Sequence, residues 1–170
     1  GKLPLFDSVT LTFGSVGTGG FGIKNDSIAG YSTAVQNVIT VFMILSGINY
    51  SVYFCILCKQ IKEAFSIEEV RVYLLIIFSA VALICFDTFS LYGTVAETIR
   101  HAFFQVGSIM TTTGFATTDY NSWPMLSKTI LIILMFIGAC AGSTAGGAFI
   151  STSSAFPIII NFLNEIRPTS

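Results

Sequence analysis

Two tracts of this chain combine glycine and hydroxyl residues and close on Gly-Phe. The earlier reads Gly14-Ser15-Val16-Gly17-Thr18-Gly19-Gly20-Phe21. The later reads Ser108-Ile109-Met110-Thr111-Thr112-Thr113-Gly114-Phe115, followed by Ala116-Thr117-Thr118-Asp119. Such residues suit ion coordination by the backbone. A dehydrated alkali cation needs several oxygens to replace its water, and unwound chain can aim successive carbonyls at one axis. Glycine permits the dihedrals and the close approach, and threonine can add a hydroxyl oxygen. A short helix ending just before such a strand turns its partly negative end toward the cation. Val16, Gly17, Thr18, Gly19 and Gly20, with Met110, Thr111, Thr112, Thr113 and Gly114, are therefore the candidate ion ligands. The plain alternative is a Gly/Thr loop at a membrane surface. Two copies in the same context favour the pathway.

The flanking segments supply that context. Pro4 to Phe13 predicts a helix of about 15 Å, half of a hydrocarbon core of about 30 Å, so it enters without crossing. Thr33 to Lys59 predicts a span of about 40 Å and Val70 to Tyr92 one of about 35 Å. Val95 to Gly107 is short again, with Glu97 favouring its N-terminus. Trp123-Pro124 restarts the chain with an interfacial residue and a helix opener, and an interrupted apolar run extends to residue 163. The charged stretch from 60 to 69 reads as the loop between repeats. Lys59, Lys62 and Arg71 in or beside it put that loop on the cytoplasmic side.

Composition agrees. Of 170 residues, 53% are hydrophobic and 10% charged, with mean hydropathy +0.79. A soluble domain carries roughly 25% charged residues. A net charge of −1 offers no basic patch for nucleic acid. The opening residues do not read as a signal peptide, and the expectation is a piece of something longer. The fold class expected is an all-α integral membrane protein of helix–pore-loop–helix repeats with re-entrant half-helices and one broken transmembrane helix. Its parts are 1–59, the loop 60–69, and a second repeat over 70–165. That repeat divides into span 70–92, pore helix 95–107, filter 108–115 and broken helix 124–163.

A shift of 94 superposes Gly20-Phe21 on Gly114-Phe115 and Thr18 on Thr112. It also lays Ser46-Gly47-Ile48-Asn49 over Cys140-Ala141-Gly142-Ser143, so small and polar residues interrupt both following helices at the same distance. The run Gly138-Ala139-Cys140-Ala141-Gly142-Ser143-Thr144-Ala145-Gly146-Gly147 holds four glycines and three alanines. It can be a close-packing face, a flexible stretch, or irregular backbone lining a cavity. With Ser143 and Thr144 included it is poor helix, which makes it a candidate gate below the filter.

Other motifs carry less. Gly17 to Gly22 fits a dinucleotide fingerprint but lacks the strand–turn–helix setting. Cys55 and Cys58 have C-x-x-C spacing without a second pair, so apolar filler is the better reading. Asp87, an acid in an apolar run, is a functional candidate or a cap near the outer end. Gln36, Asn37 and Asn49 are expected to hydrogen-bond between helices. No catalytic triad, Cys-His pair or paired carboxylate is visible, and no enzyme or cofactor is expected.

The run Thr111 to Pro124, including Asp119-Tyr120-Asn121-Ser122-Trp123, resembles the third pore loop of TrkH-type potassium uptake proteins of the Trk/Ktr/HKT superfamily. Gly138 to Gly147 resembles the glycine-rich intramembrane loop that follows it, and Thr18-Gly19-Gly20-Phe21 the second pore loop. The resemblance covers residues 1 to about 147. It implies four repeats around one pathway, of which this chain holds the end of repeat two and repeat three. It implies potassium held by backbone oxygens of Thr18, Gly19, Thr112 and Thr113, and a gate at the loop. It further implies a bacterial plasma membrane location, a homodimer and a cytosolic nucleotide-binding regulatory subunit. Ala148 to Glu165 lacks the basic residues the family has there. A secondary cation transporter with broken helices and a non-conducting membrane fragment are the alternative readings.

Overall fold

The computed structural model describes residues 4–24, 26–60, 67–140 and 142–146. Among them the chain forms six α-helices: α1 (Leu5–Val16), α2 (Thr33–Ser46), α3 (Tyr50–Leu57), α4 (Glu68–Tyr92), α5 (Val95–Met110) and α6 (Met125–Ile137). A 3-10 turn at Tyr120–Ser122 precedes α6. The architecture is all-helical, as expected.

Helix α4 is the one described helix both long and apolar enough to cross a membrane unaided. Its 25 residues give about 37 Å. Val70, Tyr73, Ile77, Ala80, Ile84 and Thr88 recur every three or four residues and are buried, forming one stripe against α5 and α6. Leu75, Phe78, Leu83 and Phe86 face outward. Helices α1 and α5, with 12 and 16 residues, reach only about 18 and 24 Å. Both run one turn further than expected, to Val16 and Met110, because the small residues at their ends still complete helical hydrogen bonds. Asp87 serves as a cap: its carboxylate accepts from the Ser127 backbone N–H at 3.1 Å and from its hydroxyl at 2.6 Å. These bonds satisfy the start of α6.

The expected single span from Thr33 to Lys59 is instead two helices, α2 and α3, bent 92° apart. The carbonyls of Ile44, Leu45, Ser46 and Gly47 at the bend each have a donor within reach. The Tyr73 hydroxyl donates to Ile44 O at 3.0 Å and the Tyr53 hydroxyl to Leu45 O at 2.6 Å. The Thr144 hydroxyl, which shares its one proton with Val16 O at 3.0 Å, lies 3.4 Å from Ser46 O, and the Cys140 N–H donates to Gly47 O at 3.2 Å. Asn49 caps the new helix, accepting from Ser51 N–H at 2.9 Å. Gly47 leaves room for Tyr73, whose hydroxyl a methyl there would strike. Helix α6 ends at Gly138, whose φ of 71° and ψ of −164° belong to a region essentially reserved for glycine.

The two interruptions then pair with each other. Cys140 N–H donates to Gly47 O, and Tyr50 N–H donates to Gly142 O at 3.1 Å. Ala141, Gly147, residues 61–66 and the continuation of the broken helix to 163 lie outside the described residues. Removing the Tyr73 hydroxyl should expose how the bend is held. Tyr73→Phe leaves the part-buried Ile44 O without that donor. It is expected to cost about 1–3 kcal/mol, read as a lower melting temperature of the purified protein in detergent.

Candidate ion pathway

The two Gly-Phe tracts fold alike, bond for bond. In the first, Gly17 N–H donates to Phe13 O, Thr18 N–H to Ser15 O, and both Gly19 and Gly20 N–H groups to Gly14 O. In the second, Thr111 donates to Gly107 O, Thr112 to Ile109 O, and both Thr113 and Gly114 to Ser108 O. Each bond maps onto its counterpart by the shift of 94. Dihedrals follow the same register: Thr18 and Thr112 have φ of 48° and 56°, Gly20 and Gly114 have φ of 66° and 82°. Alternate residues in the left-handed region curl the chain back over the end of its pore helix. The N–H groups are thereby spent on the helix C-terminus.

The carbonyls are not spent. No described residue donates a hydrogen bond to the oxygens of residues 17–20 or 111–114. The strands also meet. A methyl on Gly20 would collide with the Thr113 carbonyl, whereas one on Gly114 would meet nothing within 4 Å. Thus Gly20 is required by both contact and φ, while Gly114 is required by φ and borders open space.

Side chains sort to two sides. Thr111 and Thr113 are buried. Their hydroxyls lie 2.8 Å apart, and Thr111 Oγ1 donates to Gly107 O at 2.7 Å. Ser108 Oγ, also buried, donates to Phe115 O at 2.6 Å and pins the chain where it leaves the turn. The hydroxyls of Thr111 and Thr113 are thus engaged inside the protein. Main-chain oxygens are what remain. Val16 and Met110, expected as ligands, are the last residues of α1 and α5, and Val16 O accepts from Thr144 Oγ1 at 3.0 Å.

The glycine-rich run reaches both strands from below. Thr18 Oγ1 donates to Thr144 O at 2.8 Å, and Gly146 N–H donates to Thr112 Oγ1 at 2.8 Å. Ser143 Oγ bonds to Cys140 O at 2.7 Å and shapes the loop from within. Gly142, at φ 72°, lies against Asn49, whose amide donates to Glu69 at 3.4 Å. Of the loop residues expected as a gate, Gly138, Ala139, Cys140, Gly142, Ser143, Thr144, Ala145 and Gly146 are described. Ala139, Cys140 and Ala145 are buried.

Beyond the filters, the polar loops bind each other. Ile28 N–H donates to Ala116 O at 3.1 Å and Ala116 N–H to Ser27 Oγ at 3.1 Å. Gln36, expected to bridge helices, instead donates to Ile28 O at 3.3 Å and Tyr31 O at 3.2 Å. Tyr31 donates to Asp7 at 3.0 Å. Partial burial, and then this carboxylate, push the phenol above its ordinary pKa and keep it a donor. Composition had named neither Ser27 nor Ile28, since the segment reads only as a polar loop. Tyr53 and Tyr73 were likewise hidden among apolar neighbours.

Two tandem units, each a half-length helix, a turn with free carbonyls and a return through an interrupted helix, define an integral membrane protein of the pore-loop class. The TrkH family model, described as a cation transport protein, matches residues 1–166. The chain belongs to the TrkH family. The Trk system potassium uptake protein TrkH of Salmonella typhimurium is 33% identical over 150 residues, 85% of this chain and 31% of that protein. Its Escherichia coli counterpart is 34% identical over 146 residues, 84% and 30% of the two chains. The crystal structure of the potassium transporter TrkH from Vibrio parahaemolyticus superposes with a TM-score of 0.82 at 25% identity, covering 97% of this chain and 37% of that one. The chain thus spans about 31% of the length of the first of these relatives.

A pair of glycine variants separates contact from dihedral. Gly93 has φ of 68° with open space around it, so Gly93→Ala is expected to cost about 1–2 kcal/mol from the left-handed backbone alone. Gly20→Ala adds the collision with Thr113 O and should cost clearly more, measured as the difference in thermal midpoint between the two purified variants.

Proposed function

We propose that this chain supplies two of the four filter strands of a potassium uptake pathway, with the loop from Gly138 to Gly147 as its gate. One observation carries the reading. Two strands of different sequence spend their N–H groups on their own pore helices in the same pattern and leave their carbonyls unpaired. Inside a bilayer an unpaired carbonyl is costly, and a permeating cation is the partner that would repay it. Thr18, Gly19, Thr112 and Thr113 would offer backbone oxygens, with Gly20 and Gly114 fixing the curvature. Potassium as the ion follows from the relatives named as potassium uptake proteins.

Two strands do not enclose a four-fold pathway, so conduction is assigned to the assembled four-repeat protein in the bacterial plasma membrane. A homodimer and a cytosolic nucleotide-binding regulatory subunit belong to the same proposal and rest on the family resemblance. Lys59, two residues past the end of α3, and Arg71, in the first turn of α4, support a cytoplasmic placement of the segment between these helices.

Flux in liposomes tests the reading. In the assembled protein, Gly114→Ser should distort the second strand and lower the preference for potassium over sodium by about tenfold, the size of a 1.4 kcal/mol change. Removing residues 142–146 should raise resting flux. Unchanged selectivity in the first variant would sink the filter assignment, and unchanged flux in the second the gate. Steeply saturating flux at low ion concentration would instead favour the carrier reading.

A further inference from the structure

We infer that the hydroxyls of Thr18 and Thr112 are a matched pair of latches that hold the glycine-rich loop shut against both filter strands. The inference deepens the gate reading above and rests on it.

Three observations converge. First, the two threonines occupy equivalent positions in the two repeats, and both bond to the same short stretch of loop. Thr18 Oγ1 donates to Thr144 O, and Thr112 Oγ1 accepts from Gly146 N–H, both at 2.8 Å. The chemistry is reciprocal: one strand gives a proton to the loop and the other takes one. Second, both residues sit at positive φ. A β-branched side chain is a genuine outlier there. If only the turn mattered, glycine would serve at both positions, as it does at Gly20 and Gly114 in these same turns. Threonine at a strained position points to a use for its side chain. Third, the neighbouring threonines take no part. Thr111 and Thr113 engage each other inside the protein, so the loop is bonded by the pair that faces it.

The consequence is a direct link between loop and filter. For the loop to leave, it must release one bond to each strand, together with the Thr144 hydroxyl from Val16 O and Ser46 O. Each strand therefore holds the loop independently of the other.

Resting tracer flux, measured on the assembled four-repeat protein in liposomes, tests this. Thr18→Val and Thr112→Val keep the shape and the branching but remove the hydroxyl. Each should raise resting flux about fivefold, the effect of losing one net hydrogen bond, and the double variant more than either. Thr18→Ser and Thr112→Ser keep the hydroxyl and should leak less than the matching valine variants. Should the valine proteins fail to reach the membrane, Thr18→Ala and Thr112→Ala relieve the crowding and carry the same expectation. Hydroxyl-free variants that leak no more than wild type, while deletion of 142–146 still raises flux, would overturn the latch and leave the gate standing. If the loop deletion itself leaves flux unchanged, the gate reading fails and takes the latch with it.

Discussion

The structure depends on one constraint: an unwound backbone inside lipid must find a partner for every N–H and C=O, because no water is present to supply one. The chain leaves helical geometry at four places within its apolar body: after α1, between α2 and α3, after α5, and after α6. At the α2–α3 bend, two tyrosine hydroxyls, a threonine hydroxyl and a backbone N–H take up the freed carbonyls. At the two filters the N–H groups fold back onto the pore helices. At the two Gly-Phe turns the carbonyls of residues 17–20 and 111–114 have no donor among the described residues, at the same register in both copies.

This accounting also explains why the interruptions gather in one place. A broken helix is cheapest where another broken helix can complete it. The α2–α3 bend and the run after α6 exchange two backbone hydrogen bonds, and the same run bonds upward to Thr18 and Thr112. Filter, bend and loop are thus one hydrogen-bonded assembly, in which a displacement of the loop changes partners on both repeats. The buried stripe of α4 and the C-terminal half of α5 provide the rigid wall behind it. Ser108 fastens the chain to that wall where it leaves the turn.

Much of the site was legible in the chain because its signals are local. Helix lengths told half-crossings from crossings. Glycines marked Gly20 and Gly114, and the 94-residue shift related Thr18 to Thr112 before any contact was known. Asp87 as a cap was open to sequence because Ser127 lies in the first turn after Pro124. Other features were not legible. Thr33 to Lys59 is apolar throughout, and its weak interruption at Gly47 and Asn49 does not specify a right-angle turn. The hydroxyls that stabilise that turn come from Tyr53, Tyr73 and Thr144, and the last two are 29 and 98 positions from the carbonyls they bind. The roles of the threonines were equally hidden. Four similar residues divide into two packed inward and two facing the loop, and identity alone cannot sort them.

The sequence by itself determined the membrane solvent, the tandem repeat and the backbone chemistry of the Gly-Phe turns, since hydropathy, length and glycine dihedral freedom are properties of short stretches. Tertiary structure decided which oxygens stay unpaired. That is a matter of subtraction: a carbonyl is free only after every donor in reach has been assigned, and those donors arrive from distant segments. The same contacts decided that Thr18 and Thr112 hold the loop while Thr111 and Thr113 hold each other.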